Sequence, residues 1–176
     1  MSAGVTLIEL LVTMSVLVIL LTIGVSQLSY MVAHNRRSAE VNTLIGHLNF
    51  ARAEAILRAT DICVCPVDLD DPTSCTNTAW SYGYAVLDED GGKPLRLHKG
   101  SKNIVITDNT RGKEYCFKDD GSIGFGGTFT LCDVRDDASD DSVRADGVAK
   151  PVKLVVSRPG RVLLSEAANI RCGSSQ

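Results

Sequence analysis

The chain starts with an almost unbroken apolar run from Val5 to Val25, relieved by Thr6, Thr13, Ser15, Thr22 and Gly24 and by one carboxylate, Glu9. As a helix its 21 residues would span about 31 Å, the thickness of a bilayer's hydrocarbon core. Past Val25 the pattern turns amphipathic rather than stopping. Val41, Leu44, Ile45, Leu48, Ala51, Ala55 and Ile56 recur at helical spacing, with Arg37, Glu40, Asn42, Asn49, Arg52 and Glu54 among the polar positions. The first proline is Pro66, so one helix from Val5 to about Arg58 is expected, apolar over 5–25 and amphipathic over 26–59.

From Asp61 the period shortens to two. Strands are expected at Ile62–Val67, Trp80–Leu87, Leu95–His98, Ile104–Thr107, Glu114–Phe117, Thr128–Cys132, Val152–Ser157 and Arg161–Leu164. In the second of these, Trp80, Tyr82, Tyr84 and Val86 alternate as one face of a strand would. Turns are marked by Asp70-Asp71-Pro72, Asp90-Gly91-Gly92, Asp120-Gly121 and Gly126-Gly127. The expected fold class is α+β: a long N-terminal helix whose outer half packs on an antiparallel, β-rich head covering residues 60–176.

Charge is unevenly spread along this plan. Residues 1–60 carry 4 basic and 3 acidic side chains, residues 61–146 carry 9 and 17, and residues 147–176 carry 5 and 1. The mild net charge of −3 therefore hides an acidic middle and a basic tail formed by Lys150, Lys153, Arg158, Arg161 and Arg171. Such cations can hold phosphates weakly and in a salt-dependent way, or can neutralise the acidic middle of the same or a neighbouring subunit.

All six cysteines follow the apolar run, which fits an oxidising compartment and a disulfide framework. Six cysteines allow 15 pairings, so the connectivity stays open. The favoured set starts with Cys65–Cys75, which bracket a short loop, then Cys132–Cys172, tying the tail to a strand end. Cys63–Cys116 is what remains. No C-x-x-C occurs and the three histidines are scattered, so no metal or cofactor site is expected. Asp133, Asp136, Asp137, Asp140, Asp141 and Asp146 crowd one stretch but lack the ligand order and glycine of a calcium loop. No nucleophile elbow, P-loop or His-Glu-x-x-His is present, and an enzyme is not expected.

Glu9 decides how the apolar run is read. A carboxylate within a membrane helix costs roughly 2.5–3.5 kcal/mol on insertion scales, so it either lies close enough to the helix start to reach water or needs a cation at its own depth, from another chain or a free amino terminus. A secretory signal peptide fits less well, because no Lys or Arg precedes the run and no small-x-small cleavage pattern ends it. Gly4-Val5-Thr6-Leu7-Ile8-Glu9-Leu10-Leu11 resembles the prepilin processing motif of type IV pilins and type II secretion pseudopilins. The resemblance implies that residues 1–4 are a leader, that prepilin peptidase cuts after Gly4, and that the new amine of Val5 is methylated. It implies that Glu9 pairs with the amino terminus of a neighbouring subunit. The leader Met1-Ser2-Ala3 lacks the usual basic residue, and Val5 replaces the commoner Phe.

The segment His47-Leu48-Asn49-Phe50-Ala51-Arg52-Ala53-Glu54-Ala55-Ile56-Leu57-Arg58 is similar to the helix end of the GspH/FimT branch. So are the order of cysteine, loop, cysteine and aromatic strand and the Asp119-Asp120-Gly121 turn. The resemblance implies a structural minor pilin or pseudopilin, anchored single-pass in the bacterial inner membrane with a periplasmic head. It would then be built into, or prime, a type IV pilus or type II secretion pseudopilus made of other pilin or pseudopilin subunits. In FimT-type members a Gly-Arg-x-Arg motif in the tail is associated with binding DNA during natural transformation, which supplies an alternative function. Here the motif reads Gly160-Arg161-Val162-Leu163, with Leu163 where the second basic residue would stand.

Overall fold

The computed structural model describes residues 6–88, 92–110, 114–133 and 151–166, without the side chains of 22–30 and 33. A single helix, α1 (Leu7–Arg58), runs for 52 residues. Thr6 starts it: its hydroxyl accepts from the Glu9 amide at 3.3 Å, satisfying one of the free N–H groups of a first turn. Ala59 ends it in the left-handed region at φ 52°, its N–H returning to the Ala55 carbonyl. With no proline or chain break between, helical propagation continues from the apolar half into the amphipathic one.

Eight strands follow: β1 (Ile62–Pro66), β2 (Gly83–Asp88), β3 (Arg96–Lys99), β4 (Ile104–Asp108), β5 (Tyr115–Phe117), β6 (Gly127–Asp133), β7 (Val152–Val156) and β8 (Val162–Glu166). They form two four-stranded antiparallel sheets, ordered β3-β2-β1-β5 and β4-β6-β7-β8. The α+β class and the helix-on-sheet arrangement are as expected from the sequence.

The core lies where the outer half of α1 meets both sheets. Val41, Leu44, Leu48, Ala51 and Ala55 form its helical stripe, facing Val64, Val86, Phe117, Leu131 and Leu154 from the sheets. Trp80 packs edge-on to Phe129 with ring centroids 4.8 Å apart, and Tyr115 lies 4.7 Å from the same ring. These aromatic contacts join the two sheets beneath the helix.

Two details correct the sequence pattern. Ile56 is 50 % exposed rather than part of the buried stripe, because the helix end rises off the core there and its side chain reaches the Gly121 turn. The alternation starting at Trp80 breaks at Tyr82, which is 71 % exposed. The Tyr82 amide donates to the Ala79 carbonyl at 2.9 Å, so this segment is a turn and β2 begins only at Gly83.

Candidate assembly site

The described side chains of the apolar half of α1 lie outside the core of the head. Every residue from Leu7 to Leu21 is exposed, and Leu7, Leu11 and Leu20 show 81 %, 62 % and 63 % of their surface. Burial begins at Glu40 and Val41. The helix is thus an exposed apolar rod on one side of that point and a packed element on the other. Burying each such Leu, Ile or Val is worth about 1.5–3 kcal/mol, so a bare rod of this composition calls for an apolar phase or for other helices. Among the described residues no helix is long and apolar enough to cross a membrane. Glu9 is the rod's lone carboxylate and its side chain is exposed. Gly4 and Val5 lie outside the described residues.

At the far end of α1 two glycine turns close over the helix. Gly121 and Gly160 both sit at φ 74°, a conformation favourable to glycine. A Cβ on either would come within 3.0 Å of Arg52 Nε, so the Arg52 side chain runs beneath both turns. Its Nε is buried and has no hydrogen-bond partner. The Ile123 amide donates to the Arg158 carbonyl at 2.9 Å, fastening one turn to the other.

This β7–β8 turn brings together two of the five expected tail cations. Arg158 and Arg161 flank Pro159-Gly160 and are exposed, while the Arg161 carbonyl accepts from the Ser157 amide at 2.9 Å. Lys153 is further back on β7, opposite Thr130 and Ser165, and is half-buried. Lys150 and Arg171 lie outside the described residues.

The cysteines staple the first sheet. Cys63 and Cys116 are register partners on β1 and β5, and their disulfide spans Cα atoms 3.9 Å apart. Cys65, two residues along on the same face of β1, is bonded to Cys75 with Cα atoms 5.6 Å apart. Cys132 is also disulfide-bonded; its expected partner, Cys172, lies outside the described residues. Glu114 approaches both of the first two disulfides. Disulfide sulfurs lack the thiolate charge that binds zinc, so this donor set does not suit a metal.

One polar cluster had no signal in the sequence. His98 Nε2 on β3 meets Glu40 Oε1 on α1 at 2.6 Å, across 58 positions of sequence. Glu40 is 7 % exposed, and no other charged side chain among the described residues is buried so fully. His47 stands beside them, donating through Nδ1 to the Thr43 carbonyl at 2.8 Å. Burial holds its pKa below the usual histidine range. Helical periodicity placed Glu40 among solvated positions, and only the register of β3 on β2 brings His98 over it.

A family model described as type II transport protein GspH matches residues 40–160. No curated protein matches the chain. Among solved structures it is similar to the type IV minor pilin FimU of Pseudomonas aeruginosa, with TM-score 0.55, 20 % identity, and coverage of 75 % of this chain and 90 % of that one. A second crystal form of FimU gives TM-score 0.50 at 20 % identity, covering 74 % and 91 %. The minor pseudopilin EpsH of the Vibrio cholerae type 2 secretion system gives 0.49 at 12 % identity, covering 73 % and 95 %.

Proposed function

The chain belongs to the family of the type II transport protein GspH, and from that premise we propose that it is a minor subunit of a type IV pilus or type II secretion pseudopilus, made as a prepilin. It is a structural subunit rather than an enzyme. In this reading prepilin peptidase removes residues 1–4 and the amine of Val5 is methylated. The segment 5–25 holds the subunit in the inner membrane with its head in the periplasm. The same segment then packs among the helices of neighbouring subunits, where Glu9 pairs with an amino terminus. The observation that carries this is the exposed rod Leu7–Leu21 with Glu9 as its one charge. A membrane and a filament core are the two surroundings that cover such a surface, and each demands that the acid be matched.

Mass spectrometry of the protein purified from its own cells tests the reading. The expected mature chain begins at Val5 and carries one extra methyl group. A chain keeping residues 1–4 overturns it.

A second reading, contact with DNA phosphates, is favoured by one observation: Arg158 and Arg161 project from the same exposed turn. Gel shift of the protein with double-stranded DNA at low salt, against the Arg161→Ala variant, separates it from a purely structural role. Absence of any shift retires it.

A further inference from the structure

Among the described residues Glu40 is the first buried one of α1, at the point where the exposed rod enters the head. The groups facing it come from three elements. From α1 come Glu40 itself and His47, with half-buried Arg37 one turn earlier; from β2 comes Tyr84; from β3 come His98 and Arg96. The His47 and His98 rings have centroids 5.8 Å apart, and Tyr84 lies 5.3 Å from the first and 4.8 Å from the second. Tyr84 is wholly buried with its hydroxyl unbonded. Burial, and then the Glu40 charge, push its ionisation far up, so it adds bulk but no charge.

Strand β3 has few other holds on the helix. It is an edge strand paired only with β2, and Arg96, Leu97 and Lys99 are exposed. Its described contacts toward α1 are His98 on Glu40 and against the His47 ring, and the Arg96 guanidinium 3.7 Å above the Phe50 ring. An edge so lightly packed is the kind of unit that opens ahead of the global fold.

We propose that Glu40, His98 and His47 form an acid-released fastening between α1 and β3. It is closed near neutral pH and opens on acidification, freeing the helix where it enters the head. Near neutral pH the carboxylate accepts from His98 Nε2 while His47, neutral, spends its Nδ1 proton on Thr43. A proton on His47 places an imidazolium in the same half-buried space, facing the His98 ring and the Arg96 guanidinium, with Glu40 the one carboxylate described beside it. Water reaches that charge only if β3 lifts.

The sign follows from His47, whose pKa is lower in the closed form than in an exposed histidine. The closed form's advantage is full above the ordinary histidine value and shrinks as pH falls through it.

Amide hydrogen exchange of the full chain in detergent micelles, corrected for intrinsic rates, reads the device directly. Between about pH 7 and about pH 5, β3 and the first head-bound turns of α1 should exchange about tenfold faster, while β6 and β7 stay protected. His47→Gln should keep β3 protected at the lower pH, and Glu40→Ala, which removes the acceptor, should expose it already at the higher one. The proposal is overturned by a β3 whose protection ignores pH or by His47→Gln opening as the native chain does. It is equally overturned by Glu40→Ala remaining closed, or by β3 and β6 opening together.

Discussion

Gly160 and Gly121 meet so closely that a Cβ on the first would lie 2.1 Å from the carbonyl oxygen of the second. The contact ties the β7–β8 turn to the loop after β5, and both close over Arg52 of the helix. Gly160→Ala would force this junction apart and would also hold alanine at φ 74°. Strain and clash together should cost at least about 2 kcal/mol, read as a lower denaturant midpoint with an unchanged slope. An unchanged midpoint would mean that the two turns separate without loss, and that the junction is not part of the stable head.

The two mapped disulfides should differ in worth. Cys65–Cys75 closes a sequence separation of 10 and Cys63–Cys116 one of 53. Loop-closure entropy assigns about 3 kcal/mol to the first and about 4 to the second. Paired Cys→Ala replacements compared by denaturant unfolding should therefore rank Cys63/Cys116 as the costlier loss. The reverse order would point to structure retained in the unfolded chain around β1.

At the alkaline end Tyr115 should carry part of the loss of stability, beside the more deeply buried Tyr84. It is buried against Phe129, and burial foremost pushes its ionisation up to about 12, from about 10 in an unfolded chain. Its contribution to stability is complete below about pH 10 and is lost as pH rises toward the folded value. Tyr115→Phe should flatten that alkaline decline in a series of unfolding curves, and an identical decline would assign it to other groups.

How much of this could be seen in the sequence depended on the range of the interaction. The helix and all eight strands were legible because apolar period and turn residues act within a few positions: Leu44, Leu48, Ala51 and Ala55 mark their own face. Tyr82 was misplaced because a turn at Ala79–Tyr82 can carry the same alternation as a strand, and only the hydrogen bond across it tells them apart. Ile56 has the right spacing for the stripe but sits where the helix has already left the core. Glu40 and His98 were invisible as a pair, since nothing local to either records which strand edge will lie over which helix turn. Arg52 under Gly121 and Gly160 is the same case, three distant positions joined only by the packing of the β7–β8 turn on the helix end. Glu9 was legible for the opposite reason, being an acid that no apolar neighbourhood tolerates unmatched.

That mismatch gives the test of the assembly reading. Glu9 follows Thr6 by three residues in the first turn of α1, with its own amide held by the Thr6 hydroxyl, and its side chain is exposed. Removing the charge should therefore leave the fold untouched. Glu9→Ala makes the rod more apolar, so membrane insertion should persist, favoured by up to roughly the 2.5–3.5 kcal/mol that a charge costs at the centre of a membrane helix. In the proposed assembly the variant would lack the partner for a neighbour's amino terminus. In a filament core that amine would be left as an unpaired buried charge, which is costly by several kcal/mol. The expected result is normal membrane recovery and a drop of at least about tenfold in the amount recovered with sheared filaments or pseudopili. Glu9→Gln, which keeps shape and hydrogen bonding but not charge, should fail in the same way. If Glu9→Gln assembles at the native level, charge pairing at this position is not what selects the subunit, and the rod enters the assembly by apolar packing alone.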